Sequence, residues 1–304
     1  MFPIIPANSA TAVPGNQEGI FGYGVGDGGN TAVTNLVTDA GVVGSDVAAV
    51  GTARGYLAAT QYGGDKGIFG FGSITGSLTG VTNLVSNAGV VASDVVGVGT
   101  ARDALNACSF GGNKGIFGFG YDGVGYTGVT NLVSNAGVVA SDVAAVGTGR
   151  KNPGACEYGE DTGIFGFGYT GSFIDESNLV SNVGVVASDT AGVGFDRQRL
   201  AACSYDYDKG IFGYGYGGAG AGAVTAVSNL VSNVGVVASD TAGVGTARQS
   251  TAACEYDGDK GIFGYGSHAS YVSMTNLVTN AGVVGTDVAG VGTARQQPAA
   301  CSFN

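Results

Sequence analysis

The 304-residue chain has no tryptophan, a single histidine, two methionines and five prolines. One histidine, His268, gives no means of assembling a multi-histidine zinc site or a histidine-bearing catalytic triad. Its position in the segment SHASY marks it as an ordinary surface residue. Positive charge is scarce too: 12 Lys and Arg stand against 23 Asp and Glu, for a formal net charge of -11. The basic residues recur singly, which argues against nucleic acid or an anionic membrane surface as a partner. Apolar runs are cut by glycine or polar residues well before the roughly 18 residues a membrane helix requires, so no membrane insertion is expected. No GKS or GKT segment offers a P-loop, and GxGxxG-like strings carry no information in a chain with 59 glycines. Nothing here asks for a cofactor.

Cysteine is used in one way only. Cys108, Cys156, Cys203, Cys254 and Cys301 occupy a single repeat position in a small-residue segment typified by AAC, with no C-x-x-C spacing. Equivalent sites in different repeats lie beyond disulfide reach, so free buried thiols and folding in a reducing compartment are expected. The N-terminal MFPIIPANSATAVPGNQ lacks a basic region and has only a short apolar stretch, so it does not read as a secretory signal. Residues 1–17 read as an extended arm. A sharper alternative is that Phe2, Ile4 and Ile5 dock into a partner.

What the chain does have is repetition. GIFG followed by an aromatic and Gly begins at Gly19, Gly67, Gly115, Gly163, Gly210 and Gly261. Asn-Leu-Val begins at Asn35, Asn83, Asn131, Asn178, Asn229 and Asn276, and a block mostly written GTAR ends at Arg54, Arg102, Arg150, Arg197, Arg248 and Arg295. The GIFG phenylalanines are spaced 48, 48, 48, 47 and 51 apart, whereas each block's Asn precedes the next such Phe by 34 every time. All length variation therefore sits in one loop, between GIFGYG and NLV, and such loops are where binding differences are usually placed.

Four strands are expected per repeat: KGIFGYG with Phe and the second aromatic on one face and glycines on the other, TNLVS, GVVASD, and the AAC segment. Turns such as GGDK, GGNK and DGDK then lead into the next GIFG. Four antiparallel strands per repeat of about 48 residues describe a β-propeller blade. The expected fold is all-β: a six-bladed β-propeller over residues 18–304, with repeats starting near 18, 66, 114, 162, 209 and 260. The aromatic face of one blade would lie on the glycine face of the next, and the ring would close by pairing of the C-terminal PAACSF with the first GIFGYG, leaving no open sheet edge. The competing architecture is a β-solenoid with two coils per repeat and uncapped ends.

KGIFGFGYDG, SNAGVVASD and VAAVGTGR, followed by a small-residue strand and NKGIFGFG, resemble the order of a kelch repeat over residues 18–304. The kelch tryptophan is absent and the glycine pair is replaced by Gly-aromatic-Gly, so the resemblance is kelch-like and functions of cellular kelch proteins do not carry over. The wording of the consensus is also similar to repeats in structural proteins of tailed bacteriophages, including cyanophages. That resemblance implies a virion component, a fibre, neck or tail decoration made in the host cytoplasm, with other virion proteins as partners.

Asp and Arg recur at a spacing of eight, in the pairs Asp46 and Arg54, Asp94 and Arg102, Asp142 and Arg150, Asp189 and Arg197, Asp240 and Arg248, and Asp287 and Arg295. Sixfold repetition favours a structural network within or between blades over a ligand-binding ring. The acidic stretches at Glu157, Glu160 and Asp161, at Asp206 and Asp208, and at Glu255, Asp257 and Asp259 read as solvated turns, with Ca²⁺ binding as the alternative if carboxylates converge. In the variable loops, Tyr121, Tyr126, Tyr169, Tyr216, His268 and Tyr271 are the binding candidates, since exposed tyrosines stack on sugars or anchor protein contacts; the alternative is that they cover blade edges. Two functions follow. One is a non-enzymatic virion protein that presents loops for host attachment. The other is an extracellular, multivalent lectin-like module, which predicts like pockets in every repeat.

Overall fold

The computed structural model describes residues 17–48, 50–218 and 222–303, and its regular structure there is entirely β. The expected arm, Gln17 apart, lies outside the described residues.

Each GIF strand is the centre of a three-stranded antiparallel sheet, flanked by the AAC strand of the preceding repeat and its own NLV strand. In the second repeat boundary, Asn106–Phe110, Lys114–Gly118 and Thr130–Val133 align Cys108, Ile116 and Leu132 across the sheet. The hairpin between the first two turns through Gly111 and Gly112, at φ 60 and 71, where a side chain would be strained. The first GIF strand, Glu18–Gly22, takes its partner from the other end of the chain. Ala299–Phe303 pairs with it from Glu18↔Phe303 to Gly22↔Ala299, as the sequence led us to expect. The six AAC strands also pack side by side, and their order returns from Ala299–Phe303 to Ala58–Tyr62. Alanines of these strands line a narrow central cavity of about 70 Å³.

Two expectations change. GVVASD is not a continuous strand: Val43 bridges Val37 and Val47 bridges Thr34, leaving four steps on one side against three on the other. That extra residue is a bulge, which breaks the ladder, and it recurs in every repeat. Each sheet thus has three strands and a bridged edge segment. The second aromatic likewise leaves the pleat. Tyr23, Phe71, Phe119, Phe167, Tyr214 and Tyr265 all adopt φ of 60 to 64, so the two aromatics of one repeat reach opposite neighbours. Phe21 meets Tyr265 of the last repeat at 5.1 Å, and Tyr23 meets Phe69 of the next, also at 5.1 Å.

Glycine makes these approaches possible. A Cβ on Gly118 would stand 2.8 Å from Cζ of Phe165, and the same relation carries Phe69 onto Gly22 and Phe21 onto Gly264. The thiols use the other glycine of the strand: Cys301 Sγ would be 2.4 Å from a Cβ on Gly67 and Cys108 Sγ 2.6 Å from one on Gly163. Each ring buries on the order of 150 to 250 Å² in such contacts.

The repeated Asp and Arg join consecutive repeats. Arg54, fully buried, stacks its guanidinium 4.3 Å from the Tyr23 ring and donates to the Phe71 carbonyl (2.9 Å), the Thr52 carbonyl (3.1 Å) and Asn83 Oδ1 (2.7 Å). Asn83 in turn donates to Asp94 (2.8 Å), which accepts from the Thr52 hydroxyl and N–H (2.5 and 3.1 Å). The relay therefore runs from Arg54 to the next repeat's Asp94, not to Asp46 eight residues earlier. Asp46 serves the last repeat, accepting from Thr293, while Arg295 donates to Asn35 (2.9 Å). In the fourth repeat Phe195 replaces the threonine, and only its N–H reaches Asp240 (3.2 Å).

All five cysteines are free and buried, and burial pushes the thiols up, Cys301 to about 12. Two outcomes are expected. Gly118→Ala should lower stability in urea by about 1–3 kcal/mol; an unchanged midpoint would show that Phe165 is not seated there. The thiols of the folded protein should react with a disulfide reagent only as fast as the protein unfolds, whereas a rapid burst would place a cysteine at the surface.

Candidate functional site

The variable loops are fixed at their base by the segments that follow the repeat arginines. The first loop residue of each repeat pairs with the residue after the preceding arginine: Ser73 with Gly55, Tyr121 with Asp103, Tyr169 with Lys151, Tyr216 with Gln198, Ser267 with Gln249 and Val25 with Gln296. The next residue along, Tyr56, Ala104, Asn152, Arg199, Ser250 or Gln297, has φ between 51 and 58. These residues hydrogen-bond in series, Ala104 N–H to Tyr56, Asn152 to Ala104, Arg199 to Asn152, Ser250 to Arg199 and Gln297 to Ser250. Loops and post-arginine segments are thereby gathered on one face.

Four of the six expected binding residues meet there. Tyr121 and Tyr126 lie 6.1 Å apart between ring centres, Tyr126 and Tyr169 6.0 Å, Tyr169 and Phe173 5.6 Å, and Phe173 and Tyr216 5.6 Å. The row spans three repeats whose loops differ. In the third, Asp122 accepts from the N–H groups of Val124 and Gly125 (2.9 and 2.8 Å), and these bonds lower its pKa. In the fourth, the strands lengthen to Thr162–Tyr169 and Phe173–Val180. Every ring of the row is partly buried, so the tyrosines both cover sheet edges and keep surface. His268 is exposed, as expected. It sits with Tyr271 in the tight loop closed by Ser267↔Tyr271, outside the row among the described residues.

Two clefts flank the row. One, of about 430 Å³, is lined by Tyr56, Tyr121, Tyr126, Asp103, Lys151 and Arg199, among others. Lys151 Nζ lies 5.2 Å from the Tyr126 ring centre and 5.4 Å from that of Tyr169, a cation between two π faces. Burial raises the pKa of Asp103, opposed by the Lys151 charge and a bond from Ser73. The other cleft, of about 770 Å³, lies between Tyr169, Phe173, Phe195 and Asp196.

Lys151, Phe173, Asn152, Arg199 and Tyr56 were not singled out by sequence. Insertions and deletions direct attention to the loops, but the triplets after the arginines, GYL, DAL, KNP, QRL, QST and QQP, differ in every copy at constant length. That substitution pattern was the available signal.

The acidic stretches divide. Asp206 and Asp208 face Lys209 (2.5 and 3.4 Å), and Asp257 and Asp259 face Lys260, as ordinary turns. Among the described residues no three or more metal-ligating side chains converge. Glu157 and Glu255 are not turn residues at all. They lie on AAC strands and line a second cavity, of about 50 Å³, which shares Ala202, Ala253 and Ala300 with the central one and is also lined by Gln61, Ser109, Ser204 and Ser302. Burial raises Glu157 to about 7 against bonds from Ser109 and Gln61, and it raises Glu255 well above the usual range, reinforced by Glu157. Asp94 behaves oppositely: burial is outweighed by bonds from Thr52 and Asn83, and the pKa falls, as it does for Asp46, Asp142, Asp189 and Asp287.

Compared with protein-family models and with curated proteins, the chain matches none.

A carboxyl raised on folding holds its proton more tightly in the native state, so Glu157 costs stability as pH climbs from 4.5 to about 7. For Glu157 the full cost is about 3 kcal/mol. Asp46, Asp94, Asp142, Asp189 and Asp287 add stability above their unfolded pKa of about 3.8 and change little over that range. The melting temperature should therefore fall between pH 5 and 8, and Glu157→Gln should flatten the fall and raise the melting temperature at pH 8. A profile that rises across this range would contradict the buried carboxyls.

Proposed function

We propose that the chain is a six-bladed, kelch-like β-propeller acting as a non-enzymatic attachment component of a tailed-bacteriophage virion, with the aromatic row as its binding face for a protein or a host-surface glycan. The propeller reading is supported by six equivalent sheets, by the pairing of Ala299–Phe303 with Glu18–Gly22, and by aromatic, glycine and arginine contacts that run from each repeat to the next and from the last to the first. A solenoid would have no use for the last of these.

The observation that carries the binding role is the row from Tyr121 to Tyr216, built from three unlike loops on one face. A multivalent lectin would repeat the same pocket in each blade, whereas these clefts have different linings. One composite surface on a rigid repeat scaffold suits a single partner. The virion placement rests on the likeness of the repeat wording to phage structural proteins.

Cryo-electron microscopy of the source particle should find a disc on a neck, tail or fibre; absence of the chain from the particle would discard that placement. For the face itself, Tyr169→Ala combined with Tyr216→Ala should weaken binding of the purified chain to host cells at least tenfold with little change in melting temperature. Undiminished binding by the folded variant would remove the row from the function.

A further inference from the structure

We propose that the cleft between Tyr56, Tyr121 and Tyr126 binds an acidic saccharide, with the sugar's carboxylate or sulfate between Lys151 and Arg199. This rests on reading the aromatic face as a binding surface, and it names the ligand that one end of the face takes.

The placement of charge carries the argument. The 12 basic residues are the six repeat arginines, the lysines preceding GIF at 66, 114, 209 and 260, and two others, Lys151 and Arg199. The repeat arginines are buried in the relays, and Lys66, Lys209 and Lys260 pair with aspartates of their own turns. Lys151 and Arg199 belong to different repeats, follow no repeat pattern, and line the same cleft. In a chain of net charge -11, two such cations converging on one cleft mark a place for an anion.

Arg199 is held ready for it. Its backbone sits at φ 57, in the series of linked post-arginine residues, and its Nη1 donates to Gln249 Oε1 (3.3 Å). Its Nε is buried without a hydrogen-bond partner, which is costly unless a ligand supplies one. A guanidinium presents a planar fork that suits a carboxylate or sulfate.

The walls choose among anions. Three tyrosines offer flat apolar faces to the C–H faces of a pyranose, and Asp103 and Asn152 offer hydrogen-bonding groups for its hydroxyls. About 430 Å³ is the size of a small-molecule site and too small for a folded partner. A nucleic acid would present many phosphates to a chain whose net charge is strongly negative and whose basic residues do not form a patch.

The test is calorimetric titration of the full chain with three probes: a hexamer of galacturonate, the same hexamer after carboxyl reduction, and a sulfated galactan hexamer. Binding of a charged hexamer at least tenfold tighter than the reduced one supports the proposal, and the charged probe that binds identifies carboxylate or sulfate. Lys151→Gln and Arg199→Gln should each cost tenfold or more at unchanged melting temperature, and if Arg199→Gln fails to fold, Lys151→Gln decides alone. Equal binding of charged and reduced hexamers would overturn the acidic site while leaving the aromatic face in place. Failure of all three probes would overturn it too, and host-cell binding by the Tyr169→Ala, Tyr216→Ala variant would separately report on the face.

Discussion

Six times in this molecule an arginine is withdrawn from water, and the terms on which that is tolerated organise everything else. Burial lowers the arginine pKa, to about 10 for Arg102, Arg150 and Arg197. The carboxylates are not in close contact: Asp189 stands 3.7 Å from Arg150 and Asp287 4.0 Å from Arg248. At Arg54 the charge is spread instead over an aromatic ring, backbone carbonyls and an asparagine that relays it to the aspartate. Several guanidinium nitrogens remain unpartnered, so the network is weak as a source of net stability. Its value lies in register. Ring, carbonyls, asparagine and threonine come from two consecutive repeats, and only one relative placement satisfies them.

That constraint explains the constant 34 residues from each block's Asn to the next GIFG phenylalanine. The interval holds the bulged edge segment, the relay turn, the post-arginine residue, the AAC strand and its hairpin, each bonded to a neighbouring repeat. An insertion anywhere in it would pull a bonded group out of place. The loop between GIFGYG and NLV is bonded mainly at its base, so its length is free.

The GIF, NLV and AAC strands, the terminal pairing and the seating of Phe on glycine were legible because they follow from period, spacing and residue size. The conformation of the second aromatic was not. A tyrosine or phenylalanine at positive φ contradicts local preference and is held there by the ring contact and the arginine above it, which are tertiary facts. The bulge in GVVASD was hidden for a related reason, since its residue pattern suits a strand and only the partner's count reveals the extra position. Arg-to-Asn and Thr-to-Asp partners were similarly out of reach: a spacing of eight suggests a pair within one repeat, while the relay joins Arg54 to Asn83 and Thr52 to Asp94 across a repeat boundary, 29 and 42 residues apart.

The same constraint bears on where specificity can arise. With the relays built from the same parts around the scaffold, Phe195 apart, the differences presented on this face come from the loops and the three residues after each arginine. These two sets pair with one another, so a change in either is presented at the same face. Tyr126 and Tyr169 come from loops, Lys151 and Arg199 from post-arginine segments, and they meet because the register leaves them no other place. A symmetric scaffold thereby carries an asymmetric surface. Lys151 lies between two aromatic rings and Arg199 lines the same cleft, so two cations of an acidic chain are gathered at one place.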